Sequence, residues 1–219
     1  MLECYIRECE SLDDPLESPE LMSELSDIRR QAIMRYKMES DRKRSLMAGL
    51  MMRDILRIHG LDSGDVVIGE NNRPSIEGID FNISHSARYV IMAVSDSRVG
   101  CDIEHVRERN YSVAKRFFTD DENSFISSSD NKERAFYRIW TARESYSKST
   151  GEGILLNFRE YEVKLEQEEK ENEPIGILKE VDANYLGSCR IIREGVLSEC
   201  RIHQWLYDSE YIISICRHN

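Results

Sequence analysis

A chain of 219 residues is long enough for one sizeable core or two small lobes, and 40% hydrophobic with 32% charged residues is the balance of a soluble globular protein. A net charge of −11 argues against a broad nucleic-acid footprint, which needs clustered Lys and Arg to displace counterions from phosphates. No apolar run approaches the ~18 residues that cross a bilayer, and charges interrupt the N-terminus where a signal peptide needs an apolar core, so a cytosolic protein with no membrane segment is expected.

Leu2, Cys4 and Ile6 alternate with Glu3, Tyr5 and Arg7 and predict a half-buried strand. Ser18-Pro19 predicts a helix start, with the helix running to about Tyr36. A second helix carries Leu46, Met47, Leu50, Met51 and Ile55 on one stripe and stops at Gly60. Strands follow at 66–68, 79–83, 89–95 and 99–104. Thr119-Asp120-Asp121-Glu122 is a capping box, Asn131 caps a long helix to Thr150, and Gly151 and Gly153 end it. Strands are expected again at 161–165, 189–192, 201–207 and 211–216, and the acidic run 166–174 reads as a solvated connection. The order strand, helices, strands thus occurs twice, and Ser86-Ala87-Arg88-Tyr89-Val90-Ile91 is faintly echoed by Ser209-Glu210-Tyr211-Ile212-Ile213. The expected fold is α+β: two similar lobes, 1–105 and 106–219, related by a pseudo-two-fold, each a small antiparallel sheet packed with helices.

Six cysteines are scattered with no C-x-x-C pair and no His at zinc spacing, so they read as free buried thiols. The charge is uneven. Between Arg29 and Arg57 lie nine basic residues, among them Arg29, Arg30, Arg35 and Arg44, against Glu39, Asp41 and Asp54. A basic island in an acidic protein suits a small polyphosphate ligand, although two solvated helix faces account for it equally well.

Three constellations can carry chemistry. Strand alternation in Val99-Gly100-Cys101-Asp102-Ile103-Glu104 sends Asp102 and Glu104 to one face, their Cα atoms roughly 6.5 Å apart, close enough to share one hard cation. On their own they equally describe a solvated strand end. Phe136, Trp140, Glu144 and Lys148 fall at successive i, i+4 positions, so an acid and a base interrupt an apolar helical stripe, either as an ordinary helix ion pair or as a third carboxylate with a phosphate-binding ammonium. In Phe81-Asn82-Ile83-Ser84-His85-Ser86, hydroxyls, an imidazole and turn N–H groups can line a phosphate site or simply satisfy a turn.

Taken in order, Asn72-Arg73-Pro74, Phe81-Asn82-Ile83-Ser84-His85-Ser86, Val99-Gly100-Cys101-Asp102-Ile103-Glu104 and Trp140-Thr141-Ala142-Arg143-Glu144-Ser145-Tyr146-Ser147-Lys148 resemble the motifs of the Sfp-type 4'-phosphopantetheinyl transferases. Asp41-Arg42-Lys43-Arg44-Ser45-Leu46 and Ala114-Lys115-Arg116-Phe117-Phe118 add to the likeness, which spans about residues 41 to 153.

The resemblance implies a site between the lobes at which Asp102, Glu104 and Glu144 hold magnesium on the diphosphate of coenzyme A. It implies that Arg44, Ser45, Ser84, His85 and Lys148 contact phosphates, that Arg73 and Pro74 lie beside the adenine, and that a basic residue among Arg29, Arg30 and Arg35 meets the 3'-phosphate. The implied partner is an apo acyl, peptidyl or aryl carrier protein whose serine receives phosphopantetheine, with Glu144 and Lys148 as catalytic residues of a monomeric holo-carrier-protein synthase. The family usually has Lys where this chain has Arg143; arginine cannot lose its proton near neutral pH, leaving it phosphate or carboxylate contact. Two rival readings of the same residues are a magnesium-dependent nuclease or phosphohydrolase and a non-catalytic module that binds coenzyme A or a carrier.

Overall fold

The computed structural model describes residues 1–219 apart from Glu70, Asn72, 109–111, 152–159, 167–177 and 179–181. Asn72, Gly153 and all but the first residue of the acidic run 166–174 therefore lie outside the described residues. In chain order the elements are β1 (Leu2–Glu8), α1 (Pro19–Ser23), α2 (Asp27–Met34), α3 (Glu39–Ile58), β2 (Val67–Ile68), β3 (Pro74–Ser75), β4 (Asp80–Ser86), β5 (Tyr89–Ser95) and β6 (Val99–His105). There follow α4 (Ser112–Phe117), α5 (Asp120–Ser128), α6 (Lys132–Thr150), β7 (Tyr161–Leu165), β8 (Ala183–Arg193), β9 (Val196–Leu197), β10 (Arg201–Tyr207) and β11 (Tyr211–Arg217), with a 3-10 turn at Ser63–Asp65.

Local chemistry sets most of these bounds. The Thr119 hydroxyl accepts from the Glu122 N–H while the Glu122 carboxylate accepts from the Thr119 N–H, closing the capping box at the start of α5. Asn131 accepts from the Arg134 N–H to open α6, and Gly151, at φ 77, ends it in the left-handed region. The one helix expected from Ser18 to about Tyr36 is instead α1 and α2. Ser26 adopts extended backbone and its hydroxyl accepts from the Arg29 N–H, starting a new helix three residues after the first ends. Ser18 makes no side-chain cap bond, so Pro19 alone opens α1.

The fold is α+β with antiparallel sheets. One has the order β1-β5-β4, the other β6-β11-β10-β8-β7 with β9 paired to β8, and β2 and β3 form a short ribbon. The echo between Ser86 and Ser209 marks two tight hairpins, β4–β5 through Ala87 (φ 47) and β10–β11 through Asp208 (φ 48) and Ser209 (φ 58). Side-chain alternation then builds layers. Phe81, Val90, Met92 and Val94 face Met51 and Ile55 of α3. On the other face Cys4, Ile91 and Ala93 meet Cys101, Ile103, Trp205 and Ile213 of the second sheet. That sheet's far face, through Ile191, Ile202 and Ile212, packs on Phe136, Ile139 and Ala142 of α6. The layers run α3, sheet, sheet, α6.

β6 follows β5 directly in the chain but pairs with β11, Asp102 opposite Ser214. A division by sheets therefore falls in the β5–β6 turn, ahead of residue 105, because a strand's place is decided by its hydrogen-bond partner, here near the C-terminus. β4 and β6 are each the edge of their sheet, and they lie side by side.

Candidate active site

Asp102 and Glu104 point from β6 toward α6, and the helix approaches closely because of Gly100. A Cβ there would overlap the Ser145 carbonyl oxygen and lie 2.5 Å from the Ser149 nitrogen. This close approach brings Glu144 and Lys148 over the strand. The Lys148 ammonium donates to Asp102 Oδ1 at 2.6 Å and to Ser84 Oγ at 2.9 Å, and Ser84 donates to the same Asp102 oxygen at 2.8 Å. Ser86 donates to Glu104 Oε2 at 2.8 Å. One stripe of α6 thus runs from the stacked rings of Phe136 and Trp140, 6.0 Å apart, to the charged pair Glu144 and Lys148.

The buried acids of this site are not fully bonded. Asp102 is 4% exposed, and its second oxygen, Oδ2, is buried with no hydrogen-bond partner. Burial, followed by the carboxylates of Asp102 and Glu104, pushes the Glu144 carboxyl up to about 8 in spite of the Lys148 ammonium. Burial alone would lower the Lys148 pKa, but Asp102, with Cys101 and Glu144, overrides it and the net direction is upward. Asp102 and Glu104 both act on the Glu144 carboxyl, so the three carboxylates share one region. Among the described residues, the group of three potential ligands whose atoms converge to within 4.8 Å is elsewhere, at Cys200, Cys216 and His218.

A family model described as the 4'-phosphopantetheinyl transferase superfamily matches residues 98–216, more than half of the chain, and one described as 4'-phosphopantetheinyl transferase, N-terminal, matches 17–97. The chain belongs to the 4'-phosphopantetheinyl transferase superfamily. It is 32% identical over 168 residues to 4'-phosphopantetheinyl transferase Sfp of Bacillus subtilis, covering 72% of this chain and 75% of that protein. To 4'-phosphopantetheinyl transferase gsp of Aneurinibacillus migulanus it is 29% identical over 182 residues, 77% of each. To HetI of Nostoc it is 32% identical over 161 residues, 64% of this chain and 67% of that protein. The Sfp-type resemblance read from the motifs holds, and the boundary between the two matched models coincides with the β5–β6 turn.

This phosphopantetheinyl transferase places the other motif residues in three ways. Ser84, Asp102, Glu104, Glu144 and Lys148 are together. His85, one residue from Ser84, points to the opposite face of β4, the α3 side, where burial, Arg44 and Lys148 hold its pKa below the usual imidazole range. Arg44 donates to the Ala87 carbonyl at 3.0 Å, pairs with Asp41, and lines a cavity of about 380 Å³ with Cys9, Met38 and Lys43. Ser45 is buried, and its carbonyl accepts from Arg29 at 3.1 Å. The Arg29 Nε is buried without a partner, whereas Arg30 is engaged by the carbonyls of Met22, Ser23 and Leu25 and by Asp27. Arg35 is exposed. Arg73 spans the seam, donating to Asp80 at 2.6 Å, to the Val99 carbonyl at 3.0 Å and to the Lys148 carbonyl, while Pro74 opens β3 opposite Ile68.

Two groups escaped the sequence reading. Asp80, Asn82 and Ser86 accept the Val99, Cys101 and His105 N–H groups at 2.7, 2.9 and 3.1 Å, so side chains of β4 stand in for a backbone ladder and lock β6 beside it. The signal was present as a period-two polar series, Asp80, Asn82, Ser84, Ser86, alternating with Phe81, Ile83 and His85. Arg143 makes the carboxylate contact left open for it. Fully buried, it donates to both oxygens of Glu122, at 3.1 and 2.5 Å, between the rings of Phe118 and Tyr161. Glu122 also accepts from the Val163 N–H at 2.8 Å, so α5, α6 and β7 meet on one ion pair.

Proposed function

We propose that this transferase moves the 4'-phosphopantetheine group of coenzyme A onto a serine of an apo carrier protein, releasing adenosine 3',5'-bisphosphate, with magnesium held by Asp102, Glu104 and Glu144. The observation that carries the reading is the buried, unpartnered Asp102 Oδ2 beside a Glu144 carboxyl pushed up to about 8. Oxygen donors crowded this way fit a hard divalent cation. When bound, the ion supplies Lewis-acid polarisation of the diphosphate and offsets charge on the leaving oxygen.

The chain's own residues do the rest. The carrier serine attacks the β-phosphate, and Glu144, ionised, accepts the serine proton, which an unaided hydroxyl does not give up readily. Lys148, with Ser84, faces the phosphates from α6, and His85 and Arg44 face them from the α3 side. Arg73, clamped by Asp80 and the end of α6, fixes Pro74 as a wall beside the adenine. A basic residue among Arg29, Arg30 and Arg35 would meet the 3'-phosphate, Arg30 being already engaged by carbonyls and Asp27. A net charge of −11 weighs against nucleic acid as the substrate, and the family resemblance supports a cytoplasmic monomer. No described helix is long and apolar enough to cross a membrane.

The test is incubation with coenzyme A, magnesium and a panel of apo-carriers. A carrier gaining the mass of one phosphopantetheine group, dependent on the divalent cation, is the expected result; hydrolysis of coenzyme A or of nucleic acid with unmodified carriers would refute it.

A further inference from the structure

We propose that Cys200, Cys216 and His218 form a second metal site, for a borderline-soft cation of the zinc class, at the end of the second sheet. The pairing of Arg201 with Arg217 puts Cys200 opposite His218 at the open end of the β10–β11 ladder, with Cys216 two residues further in. Alternation sends all three side chains to the face that packs on α6. Their ligand atoms lie within 4.8 Å of one another, the thiols 1% and 0% exposed and the imidazole half-buried. A tetrahedral zinc with Zn–S near 2.3 Å and Zn–N near 2.0 Å has ligand-to-ligand edges of about 3.5–3.8 Å, so each pair needs to close by no more than about 1.3 Å. Ser149, in the last turn of α6, completes the set. Its hydroxyl is 2.8 Å from His218 Nε2 and 3.4 Å from Cys216 Sγ, placed to serve as fourth ligand or to hold a water that does.

Two thiols with an imidazole select zinc over magnesium, the reverse of the carboxylate site. The other thiols differ: Cys9 and Cys101 donate to backbone carbonyls, at 3.1 and 3.2 Å. Here the sulfurs face an imidazole and the hydroxyls of Ser149 and Ser198. Spacing in the sequence conceals the site, since sheet pairing rather than a short motif assembles it. Binding displaces two thiol protons, Zn²⁺ taking two thiolates and neutral imidazole, and ties the C-terminus and the start of β10 to the helix turn that holds Lys148.

The test uses the full-length protein, stripped of metal under reducing conditions and titrated with Zn²⁺ against a chromophoric chelator. One tight zinc per chain is expected, unaffected by excess Mg²⁺, lost in Cys200→Ser and weakened at least tenfold in His218→Ala. Cobalt substitution should add thiolate-to-metal charge-transfer absorption that Cys200→Ser loses and that His218→Ala shows only at higher cobalt concentration. His218→Ala, at a half-buried position beside the C-terminus, keeps the test open should Cys200→Ser fail to fold. Absence of stoichiometric zinc, or zinc that both variants retain, overturns the site.

Discussion

Arg143 and Glu144 are neighbours on one helix, both buried, and their surroundings are opposite in kind. Around Arg143 every charge has its counterpart: both Glu122 oxygens are bonded, two backbone N–H groups complete them, and two aromatic rings flank the guanidinium. Around Glu144 the Lys148 ammonium is bonded to Asp102, the second Asp102 oxygen has no partner, and the Glu144 carboxyl is driven toward its neutral form. The first arrangement is complete without a ligand and holds α5, α6 and β7 together. The second leaves a buried carboxylate oxygen unbonded, as the proposed metal site would. A buried acid is informative about function through what it lacks, and the pair shows both cases one residue apart.

Substitutions separate the two regions. Asp102→Asn should lower phosphopantetheine transfer on the order of 10³-fold, because the carboxylate bonded to Lys148 and proposed to hold the cation loses its charge, while the melting temperature stays near that of the parent. Arg143→Met should do the reverse, costing about 3–5 kcal/mol in urea unfolding by stranding Glu122, with transfer per folded molecule within a few-fold of the parent. Gly100→Ala joins the regions. With the Ser145 carbonyl in its way the helix must move, so a loss of about 1–3 kcal/mol and a fall in transfer should appear together.

The smallest effect is the dependence on pH. The Glu144 carboxyl is raised from 4.5 in the free residue to about 8 in the fold, so between these values the folded chain keeps a proton that the unfolded chain has released. Stability of the chelated protein from this group is therefore fully present below about pH 4.5 and is lost as pH rises through about 8. Magnesium should raise the melting temperature more at pH 8 than at pH 5, and Glu144→Gln should remove most of that difference.

Much of this site was legible beforehand for local reasons. Strand alternation is enough to put Asp102 and Glu104 on one face, helical spacing to align Trp140, Glu144 and Lys148, and the Thr119–Glu122 capping box to start α5. What was not legible depends on distant pairing. Glu122 reads as a cap, and its second role needs Arg143 and Val163, brought in by α6 and β7. Ser84 and His85 read as one phosphate loop, yet an ordinary strand carries them to opposite faces. β6 reads as the end of the first lobe, and only β11 assigns it to the second sheet. The break between α1 and α2 turns on a single hydroxyl, that of Ser26, in a stretch whose composition is helical throughout.

The central claim is that the cluster of Asp102, Glu104, Glu144 and Lys148, rather than the ion pair beside it, carries out the transfer. The most direct measurement is the rate at which the Glu144→Gln protein, verified as folded by its melting curve, adds phosphopantetheine to an apo-carrier in the presence of coenzyme A and magnesium, read by intact mass. The account predicts a fall of about 10²–10⁴-fold, as expected for loss of a general base; a rate close to that of the parent would contradict it.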